Sequence, residues 1–269
     1  MISYRSNTFP ATLVLCLALG GCATAGGPGP RPDPLEPFNR AVFTFNDKLD
    51  QAVLQPVARG YRAVLPAVVR TSVTNFFSNL DDLWIGLNNV LQAKIPDGLQ
   101  DFERFTFNST FGIAGLFDVA SAMEIPKHNE DFGQTLGRWG VGTGPYLVLP
   151  IFGPSDFRDG LGFSVDSAAD IVRNLDNVPT RNSLYATRAI NTRTNLLDAS
   201  RVIEEAALDK YRFVRDAYLQ RRRNLVYDGN PPRSEEEEFD EGADDGDAAK
   251  PATQPPKAPL EKQPAGNPK

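Results

Sequence analysis

The stretch "EDFGQTLGRWGVGTGPYLVLPIFGPSDFRD", Glu130 to Asp159, sets Gly133, Gly137, Gly140, Gly142, Gly144 and Gly153 among Trp139, Tyr146 and the apolar run "YLVLP". Glycine admits positive φ and close backbone approach where a Cβ would clash, so the stretch predicts an irregular, sharply reversing segment. Backbone of this kind can cradle a phosphate, form the rim of an active site, or fold against something other than water. The rest of the chain has to decide among the three.

The amino terminus reads as a targeting segment. Arg5 is followed by the apolar run "FPATLVLCLALG" and then by Leu19, Gly20, Gly21 and Cys22. The run is shorter than the roughly 20 residues a spanning helix needs and has the length of a secretory leader. Leucine, two small residues and cysteine match a bacterial lipobox, which predicts cleavage before Cys22 and diacylation of its thiol. The alternative is an ordinary cleaved leader followed by a stray cysteine. Cys16 would leave with the leader, so no disulfide and no free thiol would remain. Ala23, where an aspartate would hold a lipoprotein at the inner membrane, favours the outer membrane. One lipid group anchors only marginally, so a second attachment signal is expected in the fold.

Composition marks the edges of the folded part. "PGPRPDPLEP" carries five prolines in ten residues and predicts an extended tether. From Gly229 to Lys269 there are ten acids, five bases and eight prolines, a composition that predicts a disordered tail. That tail holds nearly all of the formal net charge of -6. The expected organisation is therefore a leader over 1–21, a lipidated tether over 22–37, one domain over 38–229 and a tail over 230–269. The domain is close to neutral, which argues against a nucleic-acid surface.

Inside the domain the apolar spacing is helical. Phe38, Ala41, Val42, Phe45, Leu49, Ala52 and Val53 predict a helix that turns Asn39, Asp47, Lys48 and Asp50 the other way and stops at Pro56. Val69, Val73, Phe76, Phe77, Leu80, Leu83, Trp84, Leu87 and Leu91 predict a second, starting after Pro66 and ending before Pro96. The phenylalanines of "DGLQDFERFTFNSTFGIAGLFDVAS" are scattered over more than one face. Ile203, Ala207, Tyr211, Val214 and Tyr218 predict one late helix with acids near its start and Arg221, Arg222 and Arg223 at its end. The fold class that follows is mainly α, with one Gly-rich irregular or hairpin segment. The surplus apolar surface either fills a core or lies flat in a bilayer interface, where Arg221, Arg222 and Arg223 would suit acidic head groups. A solvated helix end is the other reading of that arginine run.

Catalytic chemistry finds little to work with. No Gly-Lys-Ser/Thr follows the glycines, and Pro145 and Tyr146 break the dinucleotide-binding spacing of "GVGTGP". His128 is the single histidine, placed beside Glu130 and Asp131 where a solvent-side turn is expected. One histidine and no mature thiol leave no soft-ligand metal site. No metal, cofactor or catalytic residue is therefore expected.

Five segments, "DPLEPFNRAVFTFNDKLD", "NFFSNLDDLWIGLNNVLQAK", "RFTFNSTFGIAGLFDVA", the glycine stretch and "ALDKYRFVRDAYLQRRRNLVYDG", resemble the MlaA (VacJ) family of outer-membrane lipoproteins in the same order from about Asp33 to Gly229. The resemblance implies a ring-like helical domain in the periplasmic leaflet of the outer membrane, with an amphipathic channel. Phospholipids misplaced in the outer leaflet would pass through it to a periplasmic lipid carrier, and trimeric porins are implied companions. On that reading "YLVLP" meets acyl chains. Gly142, Gly144 and Tyr146 belong to the crossing segment, while Asp131, Arg138, Arg158 and Asp159 either meet a head group or brace the loop by salt bridges. Arg193 and Asp198 are candidates of the same kind. A structural lipoprotein linking the outer membrane to another envelope component is the competing expectation.

Overall fold

The computed structural model describes residues 33–232, so the leader, Cys22 and nearly all of the acidic tail lie outside the described residues. The chain begins with α1 (Glu36–Leu49), which passes through a π-helical turn at Asp50–Leu54 into α2 (Gln55–Val64). Pro56 therefore does not stop the helix as expected. It falls in the first turn of α2, where its missing N–H breaks no essential bond, and the preceding turn loosens so that the Gln55 N–H reaches Asp50 O. The stop comes at Leu65, whose extended ψ of 128° precedes Pro66.

A long helix, α3 (Ala67–Leu91), packs against α4 (Ile95–Thr110). The interface between them is polar. Asn89 donates to buried Asp101 at 2.8 Å, Asn79 to Ser109 at 2.9 Å, and Lys127 closes on the carboxylate of Asp82. Arg104, also buried, grips Asp118 at 3.0 Å and the Ile125 carbonyl at 2.6 Å. His128 is held there too, Nδ1 3.0 Å from Asp101, so it is bonded to α4 and does not stand free in a turn. The apolar residues of the same region, Leu99, Phe111, Ile113, Phe117 and Met123, face outward.

After a short helix α5 (Val119–Ala122), α6 (Phe132–Arg138) opens the glycine stretch, ahead of the expected irregular or hairpin part. Asp131 caps it, accepting from the Gln134 N–H at 2.8 Å. The reversal follows as a two-stranded antiparallel hairpin, β1 (Tyr146–Leu149) and β2 (Gly153–Asp156), paired Tyr146 to Asp156 and Leu149 to Gly153. The remaining helices are α7 (Phe157–Ala169), α8 (Val178–Asn195), α9 (Leu197–Ala206) and α10 (Lys210–Val226). The single late helix is thus two, broken at Ala207, whose extended ψ of 120° leads to Asp209 capping α10.

Two asparagines on one face of α1 close the free edge of β1. Asn39 donates to the Tyr146 carbonyl at 3.0 Å and accepts from the Val148 N–H at 2.9 Å. Asn46, two turns on, does the same for Leu149 and Ile151 at 2.9 and 2.7 Å. An open sheet edge is thereby satisfied by side chains. Asn39, expected on the outward face, is fully buried, while Phe38 and Phe45 are more than half exposed. Tyr146, Val148 and Tyr211 form a small core with Val42, Phe43, Tyr218 and Leu219. The domain is mainly α-helical, and among the described residues no helix is long and apolar enough to cross a membrane.

Candidate functional site

The faces of α3, α7 and α8 that turn toward one another leave a cavity of about 1370 Å³. From α3 come Leu80, Leu83, Trp84 and Leu87, residues spaced three and four apart along the apolar stripe read from the sequence. Phe163 on α7 and Phe152 from the hairpin turn complete the apolar wall, their rings 4.8 Å apart. The polar wall is supplied by α8 and the turn before it. Arg188 holds Asp81 at 2.7 Å and Asp170 at 3.2 Å, and its guanidinium lies 5.6 Å from the Phe77 ring centre. Trp84 donates from Nε1 to Asp166 at 2.7 Å, so its ring is fixed against the wall. Burial pushes the Asp166 carboxyl above the ordinary aspartate value, although the Trp84 and Phe132 donors oppose the rise.

Behind one side of the cavity sits a buried ionic cluster. Arg222 reaches Asp131 at 2.5 and 2.9 Å and Asp159 at 2.8 Å. Arg158 donates to Asp159 at 2.9 Å, and the Tyr218 hydroxyl reaches the other carboxylate oxygen at 2.6 Å. Asp156 caps α7 through the Asp159 N–H at 2.7 Å, while its second oxygen has no hydrogen bond. Burial, with the Asp159 charge beside it, pushes the Asp156 carboxyl up to about 7. Asp131 moves the opposite way: burial alone would raise it, but the Arg222 hydrogen bond and charge outweigh that and hold it below the ordinary value.

Glycine is needed here for approach more than for φ. A Cβ on Gly133 would stand 2.6 Å from the Asp159 carboxylate and 2.8 Å from Arg222, and one on Gly162 would stand 2.5 Å from the Gly133 nitrogen. At Gly162 the obstacle is backbone, so the crossing of α6 and α7 tolerates no side chain there, whereas a side chain on Gly133 would have to push aside the Asp159 and Arg222 groups.

The residues singled out from the sequence fall into three groups. Asp131, Arg158 and Asp159 come together, Arg222 bridging the two aspartates and Arg158 bound to Asp159. Arg222 itself is a correction: expected at an exposed helix end with its neighbours, it is buried because three turns of α10 carry it under α6, while Arg221 is exposed and Arg223 half-buried. Arg193 and Asp198 sit elsewhere, Arg193 clamping Asp50 at 2.6 Å beside the π turn and Asp198 pairing with Arg62 at 3.0 Å. Arg138 is exposed and pairs with no carboxylate among the described residues. In the crossing segment, Gly144 has φ +67° and a Cβ there would lie 2.9 Å from the Phe157 Cβ, whereas nothing lies within 4 Å of one on Gly142. Tyr146 and Val148 point inward from β1, so only alternate residues of "YLVLP" are free to meet acyl chains. Arg173, Arg181, Tyr185 and Arg188 line the cavity without having been singled out. The spacing of Arg181, Tyr185 and Arg188 on α8, four and three apart, was the available signal.

The profile described as "MlaA lipoprotein" matches residues 31–225. The Escherichia coli (strain K12) protein named "Intermembrane phospholipid transport system lipoprotein MlaA" is 37% identical over 216 residues, 76% of this chain and 85% of that one. The Haemophilus influenzae protein of the same name is 31% identical over 239 residues, 86% of this chain and 95% of its own. A solved chain from work on the structural basis for maintenance of bacterial outer membrane lipid asymmetry superposes with a TM-score of 0.65 at 35% identity, covering 73% of this chain and all of that one.

Proposed function

The chain belongs to the MlaA lipoprotein family, and we propose that it moves phospholipid through the cavity between α3, α7 and α8 so as to maintain outer-membrane lipid asymmetry. The observation that carries this reading is the cavity itself. Its volume of about 1370 Å³ exceeds the ordinary small-molecule range of roughly 300–1,000 Å³. Its wall is divided as a phospholipid is divided, with Leu80, Leu83, Trp84, Leu87, Phe152 and Phe163 for acyl chains and an arginine-bearing strip for a phosphate. The names of the relatives agree with this, since they describe an intermembrane phospholipid transport system.

Residence at the outer membrane is supported by the burial pattern. Leu99, Phe111, Ile113 and Phe117 on one flank and Ile151 and Phe152 at the hairpin tip are all more than half exposed. A lipid leaflet would remove them from water at roughly 25 cal/mol per Å². With no spanning helix among the described residues, the domain would lie in one leaflet, and an acyl group on Cys22 would supply the other attachment signal. Exposed Arg221, near the end of α10, is placed for acidic head groups. In the finer reading, lipid leaves the outer leaflet, crosses the cavity and is received by a periplasmic carrier protein, with a trimeric porin alongside. Transport of this kind makes and breaks no bond, so the chain is read as a conduit and not as an enzyme.

The test is surface-exposed phospholipid, labelled in intact cells. Deletion should raise it and the full chain should restore it, whereas Ala189→Trp, which fills the cavity wall, should stay anchored and fail to restore it. Full restoration by that variant would remove the cavity from the route.

A further inference from the structure

Of the three arginines in the cavity wall, Arg188 is spent on Asp81 and Asp170. Arg173 and Arg181 are not: neither side chain makes an ion pair or donates a hydrogen bond among the described residues. Arg181 also sits in the first turn of α8, capped by Asn177. A cation there opposes the helix dipole, and an anion bound beside it would relieve that opposition. Tyr185, one turn further along the same face, presents its phenol to the same wall. Burial pushes that phenol up, Asp170 adds to the rise, and Arg173, Arg188 and Arg181 all pull it down, so all three guanidiniums lie within electrostatic reach of one hydroxyl. Two unpaired guanidiniums, that of Arg173 exposed and that of Arg181 half-buried, and an exposed phenol O–H on the polar side of the cavity make a fork for phosphate oxygens, with the leucines and phenylalanines of the apolar wall placed for the chains attached to it.

We propose that Arg173, Arg181 and Tyr185 form a subsite for the phosphate diester of a phospholipid head group, a proposal that rests on reading the cavity as the lipid route. Arg188 positions this subsite and does not join it. Its two carboxylate partners hold α3, the end of α7 and α8 in one arrangement, so the two free arginines face the same opening. The subsite would favour an anionic glycerophospholipid over a neutral diacylglycerol, and the lipid over a free phosphomonoester, which lacks the acyl contacts.

The experiment uses Trp84 as the reporter. The chain has two tryptophans, so Trp139→Phe leaves Trp84 alone in the cavity wall. Full-length protein in detergent micelles is titrated with phosphatidylglycerol or diacylglycerol, each bearing brominated acyl chains that quench indole on contact. Arg173→Gln/Arg181→Gln should weaken phosphatidylglycerol about tenfold or more, from two lost charged hydrogen bonds. It should leave diacylglycerol and the melting temperature unchanged, and Tyr185→Phe should give a smaller loss. Glycerol 3-phosphate should compete poorly. Equal quenching by both lipids in the unsubstituted arginine protein and in the double variant would overturn the phosphate subsite while leaving the conduit standing. Quenching by neither would overturn both. Competition by glycerol 3-phosphate at concentrations matching the lipid would reassign the site to a free phosphate.

Discussion

Asp156→Asn should stabilise the protein at pH 8 and do nearly nothing at pH 4. Asp156 is fully buried, and burial together with the neighbouring Asp159 charge carries its carboxyl from the ordinary 3.8 up to about 7. An acid whose folded value lies above its unfolded one binds its proton more tightly in the folded state. Stability is then full below about 4, declines as pH rises between the two values, and stays reduced above about 7. Three units at about 1.36 kcal/mol each set a ceiling of about 4 kcal/mol. Asp159, Arg158 and Arg222 share the same field, so part of the penalty belongs to the cluster, and a gain of roughly 1–3 kcal/mol at pH 8 is expected. Asparagine caps a helix as well as aspartate, so the bond to the Asp159 N–H survives, and the amide replaces an oxygen that has no hydrogen bond. For a domain of this size the gain is about 2–12 °C in melting temperature, read by scanning fluorimetry of both proteins at both pH values. A loss at pH 8 would refute the reasoning. It would show that the carboxylate is ionised and serves as counter-charge to Arg158, 3.8 Å away.

Two further outcomes follow from the same geometry. Arg222→Met removes the partner of two carboxylates, Asp159 buried and Asp131 about a third exposed; a loss of about 3–5 kcal/mol is expected, or roughly 6–20 °C by thermal melting, and a shift under 3 °C would show the cluster to be dispensable. Gly144→Val forces a β-branched residue to φ +67° with its Cβ 2.9 Å from that of Phe157, so it should raise surface-labelled phospholipid in cells while Gly142→Val, which meets open space, should not; equal effects would break the distinction.

How much of this was legible in the sequence depends on what periodicity can report. It finds which face of a helix is apolar and is silent on where the water is. The stripe Leu80, Leu83, Trp84, Leu87 was visible, and α3 has the expected start after Pro66. That the stripe lines a cavity was not visible, because the opposing wall comes from α7 and α8, some eighty to a hundred residues away. On α1 the same rule put Asn39 outside, whereas it is inside and Phe38 is exposed. Pro56 was read as a stop because a π turn leaves no mark in composition. The late stripe ran through Ala207 unbroken because apolar spacing does not report a break in the backbone, although α9 packs on α2 and α8 while α10 packs on α6 and β2. Asp131, Arg158 and Asp159 were found, since charges inside a glycine-rich stretch are conspicuous. Arg222 was placed at a surface because two flanking arginines made it look like part of a charged run.

The inverted burial and the open cavity have one physical cause. Apolar attraction has no direction and grows with area removed from water, so a pocket walled by leucine and phenylalanine would shrink if apolar packing alone set the spacing of its helices. In this domain the buried side chains between helices are mainly asparagine, aspartate and arginine. Their bonds fix distances and angles. Arg188 sets α8 against α3 and the end of α7, Trp84 sets α3 against α7, Arg193 sets α8 against the π turn, and Arg222 ties α10 to α6 and α7. Each clamp satisfies groups whose exposure to hydrocarbon would cost several kcal/mol, so the frame holds when lipid, and not water, covers the outside. Directional polar contacts placed inside leave the apolar residues free for the two surfaces proposed to meet phospholipid, the outer flank and the cavity wall.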